Sequence, residues 1–75
     1  MPMRERDMHG KSVAEAEECF AEALNEARMA GERVEIQFIT GIGKIRDRFE
    51  ELAREQDLHH YIPMANRGCI VVEFE

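Results

Sequence analysis

Tryptophan is absent from this chain, and proline, cysteine and tyrosine are scarce: two, two and one among 75 residues. Two cysteines cannot build the disulfide framework of a small secreted scaffold. Cys19 and Cys69 therefore read as reduced core or near-core thiols of a cytoplasmic protein. No apolar run is long enough to cross a bilayer, and no signal-like apolar stretch follows the opening Met. Basic excess is missing as well. A net charge of −6 repels phosphate at long range and argues against indiscriminate nucleic-acid binding. Cys/His spacing of a zinc site is also lacking, and His59-His60, adjacent on an extended segment, would point to opposite faces. No metal ligands are assigned.

What remains is enough for one domain spanning residues 1–75 with one modest core. A chain of this size buries only roughly 60% of its unfolded surface, which leaves no material to enclose a deep cavity. A ligand is expected on the surface, or as a polymer laid across it.

Ser12-Val13-Ala14-Glu15 has the form of a capping box at a helix start. Val13, Ala16, Phe20, Leu24 and Ala27 then recur at helical spacing, and Gly31 is a suitable stop. Val34 to Thr40 reads as a largely covered strand. Ile45, Phe49, Leu52 and Ala53 restore helical spacing through about Glu55. A weak strand is expected within Met1 to Met8 and a short one at Leu58 to Ile62, limited by Pro63. Asn66-Arg67-Gly68 reads as a turn, and Cys69 to Phe74 as a β-branched last strand.

This order predicts an α/β (α+β) two-layer sandwich: a β-α-β-α-β(-β) mixed sheet with both helices on one face. The other face, carrying Glu35 and Gln37, is expected to be wet. Loops leaving the first two strands then open at one edge, where ligands usually bind in such sheets. Arg4, Arg6, Lys11, Lys44, Arg46, Arg48 and Arg67 are expected in or beside that edge. Glu15, Glu17, Glu18, Glu22 and Glu26 fall along the first helix as an ordinary acidic face.

Two segments at this edge carry chemistry. Thr40-Gly41-Ile42-Gly43-Lys44 is a glycine-rich strand-to-helix turn whose amides and helix terminus suit a phosphate oxygen. It is neither a P-loop nor a dinucleotide fingerprint, since Arg46 stands where a third glycine belongs. Asp7 and His9 alternate by two. The imidazole can take or give a proton near neutral pH, and the carboxylate can orient it, activate water or hold Mg or Mn through solvent. Taken singly, these segments also match a plain tight turn and a loop histidine beside a turn-capping aspartate.

Together, Arg6-Asp7-Met8-His9-Gly10 and Thr40-Gly41-Ile42-Gly43 resemble the two motifs of the Smr (small MutS-related) domain. That family carries Leu-Asp-x-His followed by Gly, and later Thr-Gly-x-Gly. The closing Gly68 to Phe74 is similar to its glycine-led last strand, so the likeness runs along nearly the whole chain. Arg6 replaces the family's leading Leu, the loop after Gly43 is shorter, and Gly68 stands where members often have several glycines.

The resemblance implies a fold like the C-terminal domain of bacterial translation initiation factor three. It further implies DNA or RNA binding, and in several members endonuclease activity. The family's catalytic elements correspond to Asp7 and His9, and its nucleic-acid-contacting turn to Thr40, Gly41 and Gly43. Gly10, Lys11, Lys44, Arg46 and Arg67 complete the expected binding edge. The expected substrate is branched, structured or ribosomal nucleic acid, with dimerisation or larger assembly enlarging the footprint. The alternative is a module without chemistry that docks on ribosomal RNA or on a protein.

Overall fold

The first helix begins where its own side chains can close its first turn. The Ser12 hydroxyl accepts the Glu15 amide at 3.1 Å, and the Glu15 carboxylate accepts the Ser12 amide at 2.9 Å. The hydrogen bonds to Ser12, the backbone one foremost, hold the Glu15 carboxyl below its ordinary value. That contribution to stability is present above the unfolded-state value and is lost as pH falls through the folded one. At the far end Gly31 is left-handed, and the Glu32 amide donates to the Ala27 carbonyl at 3.3 Å, closing the last turn.

The computed structural model describes residues 4–75. Residues 1–3, part of the segment expected to hold the weak first strand, lie outside the described residues. The elements run β1 (Arg4–Asp7), α1 (Val13–Ala30), β2 (Val34–Ile39), α2 (Lys44–Glu55), β3 (His60–Tyr61) and β4 (Cys69–Phe74). The sheet order is β1-β2-β4-β3, with β1 parallel to β2 and the other pairs antiparallel. This is a small α+β domain whose two helices lie on one face of a four-stranded mixed sheet.

Strand alternation decides which face is dry. Ile36 and Phe38 of β2 and Ile70, Val72 and Phe74 of β4 turn toward the helices and are buried. Ala16, Phe20, Leu24 and Ala27 of α1 close on them, with Phe49 and Ala53 of α2. The four phenylalanines of the chain come one from each of these elements. Phe38 meets Phe49 edge-on at 4.7 Å between ring centroids, and Phe20 meets Phe74 at 5.0 Å and Phe49 at 5.3 Å. Edge-to-face pairs of this kind stabilise beyond the area they bury.

Three expectations need correction. The third strand is only His60–Tyr61 rather than Leu58 to Ile62. Leu58 is instead a buried plug behind α2, its amide donating to the Ala53 carbonyl at 2.8 Å. The open face of the sheet is not uniformly wet either. Glu35 is exposed, yet Cys69 and Val71 on the same face are fully buried. Val71 sits between Gln37 and Tyr61 in the ladder, so longer neighbours on both flanking strands cover it. Finally, Arg4 pairs with Ile36 and lies at the opposite end of β1 from the glycine turn.

Truncating a ring that meets all three other phenylalanines should be far worse than removing the helix cap. Phe38→Ala is expected to cost about 3–5 kcal/mol, comparable to the whole stability of so small a domain. Ser12→Ala should cost only about 1 kcal/mol. Urea melts followed by far-UV circular dichroism would separate the two: Phe38→Ala unfolded without denaturant, Ser12→Ala folded with a lowered midpoint.

Candidate functional site

The parallel pairing of β1 with β2 brings both sequence motifs to one edge. Asp7 stands opposite Ile39, and the Met8 amide donates to the Ile39 carbonyl at 2.9 Å, one step before Thr40. Because β4 is antiparallel to β2, its first residue Cys69 also lies opposite Ile39. Three loops therefore share the edge: 8–12, 40–43 and 62–68.

In the first loop the Asp7 carboxylate accepts the His9 amide at 2.8 Å, and the Lys11 amide donates to the Met8 carbonyl at 3.1 Å. This is an Asx-type turn, and Gly10 serves its left-handed position at φ 78°. Met8 is buried and anchors the loop to the core, whereas His9, Gly10 and Lys11 are exposed. Asp7 thus performs the plain turn-capping role through Oδ1. Its Oδ2 makes no hydrogen bond among the described residues, and neither does the His9 ring.

The second loop is held from an unexpected side. The Thr40 and Gly41 amides both donate to the Gly68 carbonyl, at 2.9 and 2.8 Å. The Thr40 hydroxyl donates to the Gly41 carbonyl at 2.8 Å and also approaches Gly68 O at 3.3 Å. Gly41 adopts φ 73°, which a side chain would strain. Two of the amides expected to face a phosphate are therefore already satisfied. Free donors shift to the start of α2, whose cap residue Gly43 supplies no side-chain acceptor. Lys44 is exposed on this first turn.

The third loop comprises two consecutive turns, with the Asn66 amide donating to Pro63 O and the Cys69 amide to Asn66 O, both at 3.2 Å. The Arg46 guanidinium donates through Nη1 to the Arg67 carbonyl, while its Nε is buried without a partner. Arg46 is thus a strut between α2 and this loop, where the sequence suggested a free phosphate-binding cation. Arg67 itself is exposed.

Charge at the edge is sorted by partner. Arg48, expected here, is drawn into ion pairs with Glu17, Glu51 and Glu55 on the helices, and its guanidinium is held above its ordinary value, chiefly by Glu51. Lys11, Lys44 and Arg67 form no ion pair among the described residues. Beside them stand two large apolar side chains that sequence reasoning passed over, Ile42 at 74% and Met64 at 92% exposure. The signal was present: Ile42 is framed by two glycines, and Met64 follows the proline that ends the third strand. Among the described residues no three His, Cys, Asp or Glu side chains gather as metal ligands. A divalent ion at Asp7 would take its other ligands from solvent and phosphate.

Compared with family models, curated proteins and solved structures, the chain matches none at a significant level.

The strut role of Arg46 has a measurable signature. Arg46→Leu keeps the aliphatic stem and removes the donors, so global stability should change by less than about 1.5 kcal/mol. Amide hydrogen exchange at Gly68 and Cys69 should accelerate at least several-fold, with protection in α1 unchanged. Unchanged exchange in that loop would remove the strut.

Proposed function

We propose that this edge is a nucleic-acid-binding surface of Smr type, recognising a phosphate flanked by exposed bases. One observation carries the reading. Three loops from distant parts of the chain meet at one edge and carry there three cations that form no ion pair among the described residues, uncapped helix amides and two bare apolar side chains. Cations and helix amides suit phosphate oxygens, and apolar side chains suit the faces or gaps of unstacked bases. Single-stranded or branched DNA or RNA offers both features together, so it is the favoured substrate class. A smooth duplex offers phosphates but no open base face.

In this reading Lys11, Lys44 and Arg67 contact phosphates, with the Ile42 to Ile45 amides as additional donors. Thr40, Gly41 and Gly43 shape the turn that presents them, and Arg46 braces it. Ile42 and Met64 contact bases. Fluorescence anisotropy with labelled single-stranded, branched and duplex oligonucleotides tests this directly. Lys44→Ala and Lys11→Ala should each weaken binding several-fold and reduce the salt slope by about one. Ile42→Ala together with Met64→Ala should weaken the single-stranded and branched ligands while leaving that slope unchanged. Equal affinity of wild type for all three ligands, or none for any, would overturn the proposal.

A second reading adds phosphodiester cleavage. It is favoured by the exposed His9 ring, which lies in the same turn as Lys11 and has no hydrogen-bond partner among the described residues. On RNA, a 2′-hydroxyl attacks the adjacent phosphorus while His9 takes its proton. The 5′-oxygen leaves with a proton from solvent, and the cations stabilise the charge that gathers on the phosphate. His9→Ala should then abolish cleavage of structured RNA and change binding by less than twofold. Intact RNA and intact supercoiled plasmid after prolonged incubation with wild type would remove the cleavage reading and leave the binding one standing.

A further inference from the structure

Among the described residues, the strand at the far side of the sheet from β3 is unpaired on one flank. β1 is an edge strand, every residue of it is exposed, and its sequence is Arg4-Glu5-Arg6-Asp7. The Met8 amide bonds to Ile39, so by the two-residue period of a parallel ladder the Glu5 and Asp7 backbone groups face outward. Side chains alternate the other way across the sheet. Arg4 and Arg6 share the helix side with Ile36 and Phe38, and Glu5 and Asp7 share the open face with Gln37 and Ile39.

Beside this edge, α1 stands off from the sheet and leaves a groove. Two depressions of about 200 Å³ each run along it, sharing Ala23 and Glu26. Met8, Cys19, Ala23 and Phe38 are the apolar part of the first one's lining, beside charged residues that include Lys11 and Glu22. Cys19 and Ala23 are apolar and only half-buried. Both line the first depression.

We propose that β1 and this groove accept an extended peptide segment as a fifth strand, and that the segment alternates Lys or Arg with apolar residues. Its apolar side chains enter the groove over Cys19 and Ala23. Its cations fall on the open face, where Glu5 and Asp7 are neighbours and Glu35 lies one strand further in. The net charge of −6 supports the same sign of partner.

A second copy of the chain does not fit. Antiparallel pairing of β1 with itself keeps both helix layers on one side, so only residues of the same face can oppose. Both registers that pair at least three of the four strand residues set Glu5 against Glu5 or Asp7, and Arg6 against Arg4 or Arg6. Like charges directly opposite are destabilising. The edge is guarded against itself and against acidic strands, while remaining open to a basic one.

The test uses a labelled peptide of four Lys-Val repeats, with a Glu-Val repeat and a Lys-Val repeat carrying proline at alternate valines as controls. Binding by anisotropy is expected for the first and at least tenfold weaker for both others. Amide shifts in an NMR titration should concentrate on residues 4–8 and on Cys19 to Ala27. Ala23→Arg, which fills the groove from an already half-exposed helix position, should weaken binding at least tenfold with an unchanged circular dichroism spectrum. Glu5→Lys should weaken the Lys-Val peptide several-fold and improve the Glu-Val one. Equal binding of the proline-bearing peptide would show attraction to the acidic surface alone and overturn the proposal. So would shifts confined to the outer face of α1.

Discussion

The fold depends on a single aromatic meeting point. Phe20, Phe38, Phe49 and Phe74 belong to α1, β2, α2 and β4, and their rings touch in the middle of the domain. All four are at most 2% exposed. In a chain with so little else to bury, these rings set the position of each element relative to the others. β1 and β3 contribute little to that core: β1 is wholly exposed and β3 is two residues long. They are held by backbone pairing to the strands that the aromatic centre fixes.

The candidate edge inherits its order from that arrangement. With Phe38 and Phe49 fixed, the chain has only residues 40–43 to turn from β2 into α2. A turn that tight leaves backbone donors facing inward, and the Gly68 carbonyl accepts two of them. That carbonyl lies at the start of β4, so the loop entering the last strand and the loop leaving the second become one unit. Arg46 adds a bond from α2 to the same loop. Glycine at 41 is thus a structural necessity first, and any ligand at this edge meets a preformed surface rather than a loose one.

Much of this was legible in the amino acids, and the reasons are local. The capping box at Ser12 and Glu15, the stripe from Ala16 to Ala27 and the apolar run of β4 each specify their element within a few residues. The convergence of Asp7 with Thr40 followed once the helix between them was read as a crossover between parallel strands, and the β1–β2 pairing is parallel. What sequence could not supply was partner choice. Arg48 reads the same as Lys44 in a list of cations, yet Arg48, one turn further along the same side of α2, meets Glu17, Glu51 and Glu55, whereas Lys44 at the helix start forms no ion pair among the described residues. Arg46 is likewise half-buried by a loop twenty residues away. The shielding of Val71 depended on which strands flank β4, and Leu58 was diverted from a strand by closing the end of α2. The Arg46, Val71 and Arg48–Glu17 misses involve residues far apart in sequence, whose pairing only the assembled fold decides; Leu58 and Glu51 act within a few residues and were overridden by reading a strand and a free cation there.

Net charge and local charge therefore give opposite guidance, and distance decides between them. The domain measures 31 × 26 × 20 Å. At physiological salt the screening length is about 8 Å, so a phosphate at the loop edge is governed by Lys11, Lys44 and Arg67. At very low salt that length grows to about 30 Å, comparable with the whole molecule, and the same phosphate also senses the acidic helix. Counterion release and whole-molecule repulsion then act against each other as salt is varied. In the proposed binding role, such a surface would favour ligands that add contacts beyond phosphate, because charge alone would not hold them. Ile42 and Met64, exposed on loops of the same edge, would be the side chains to provide those contacts.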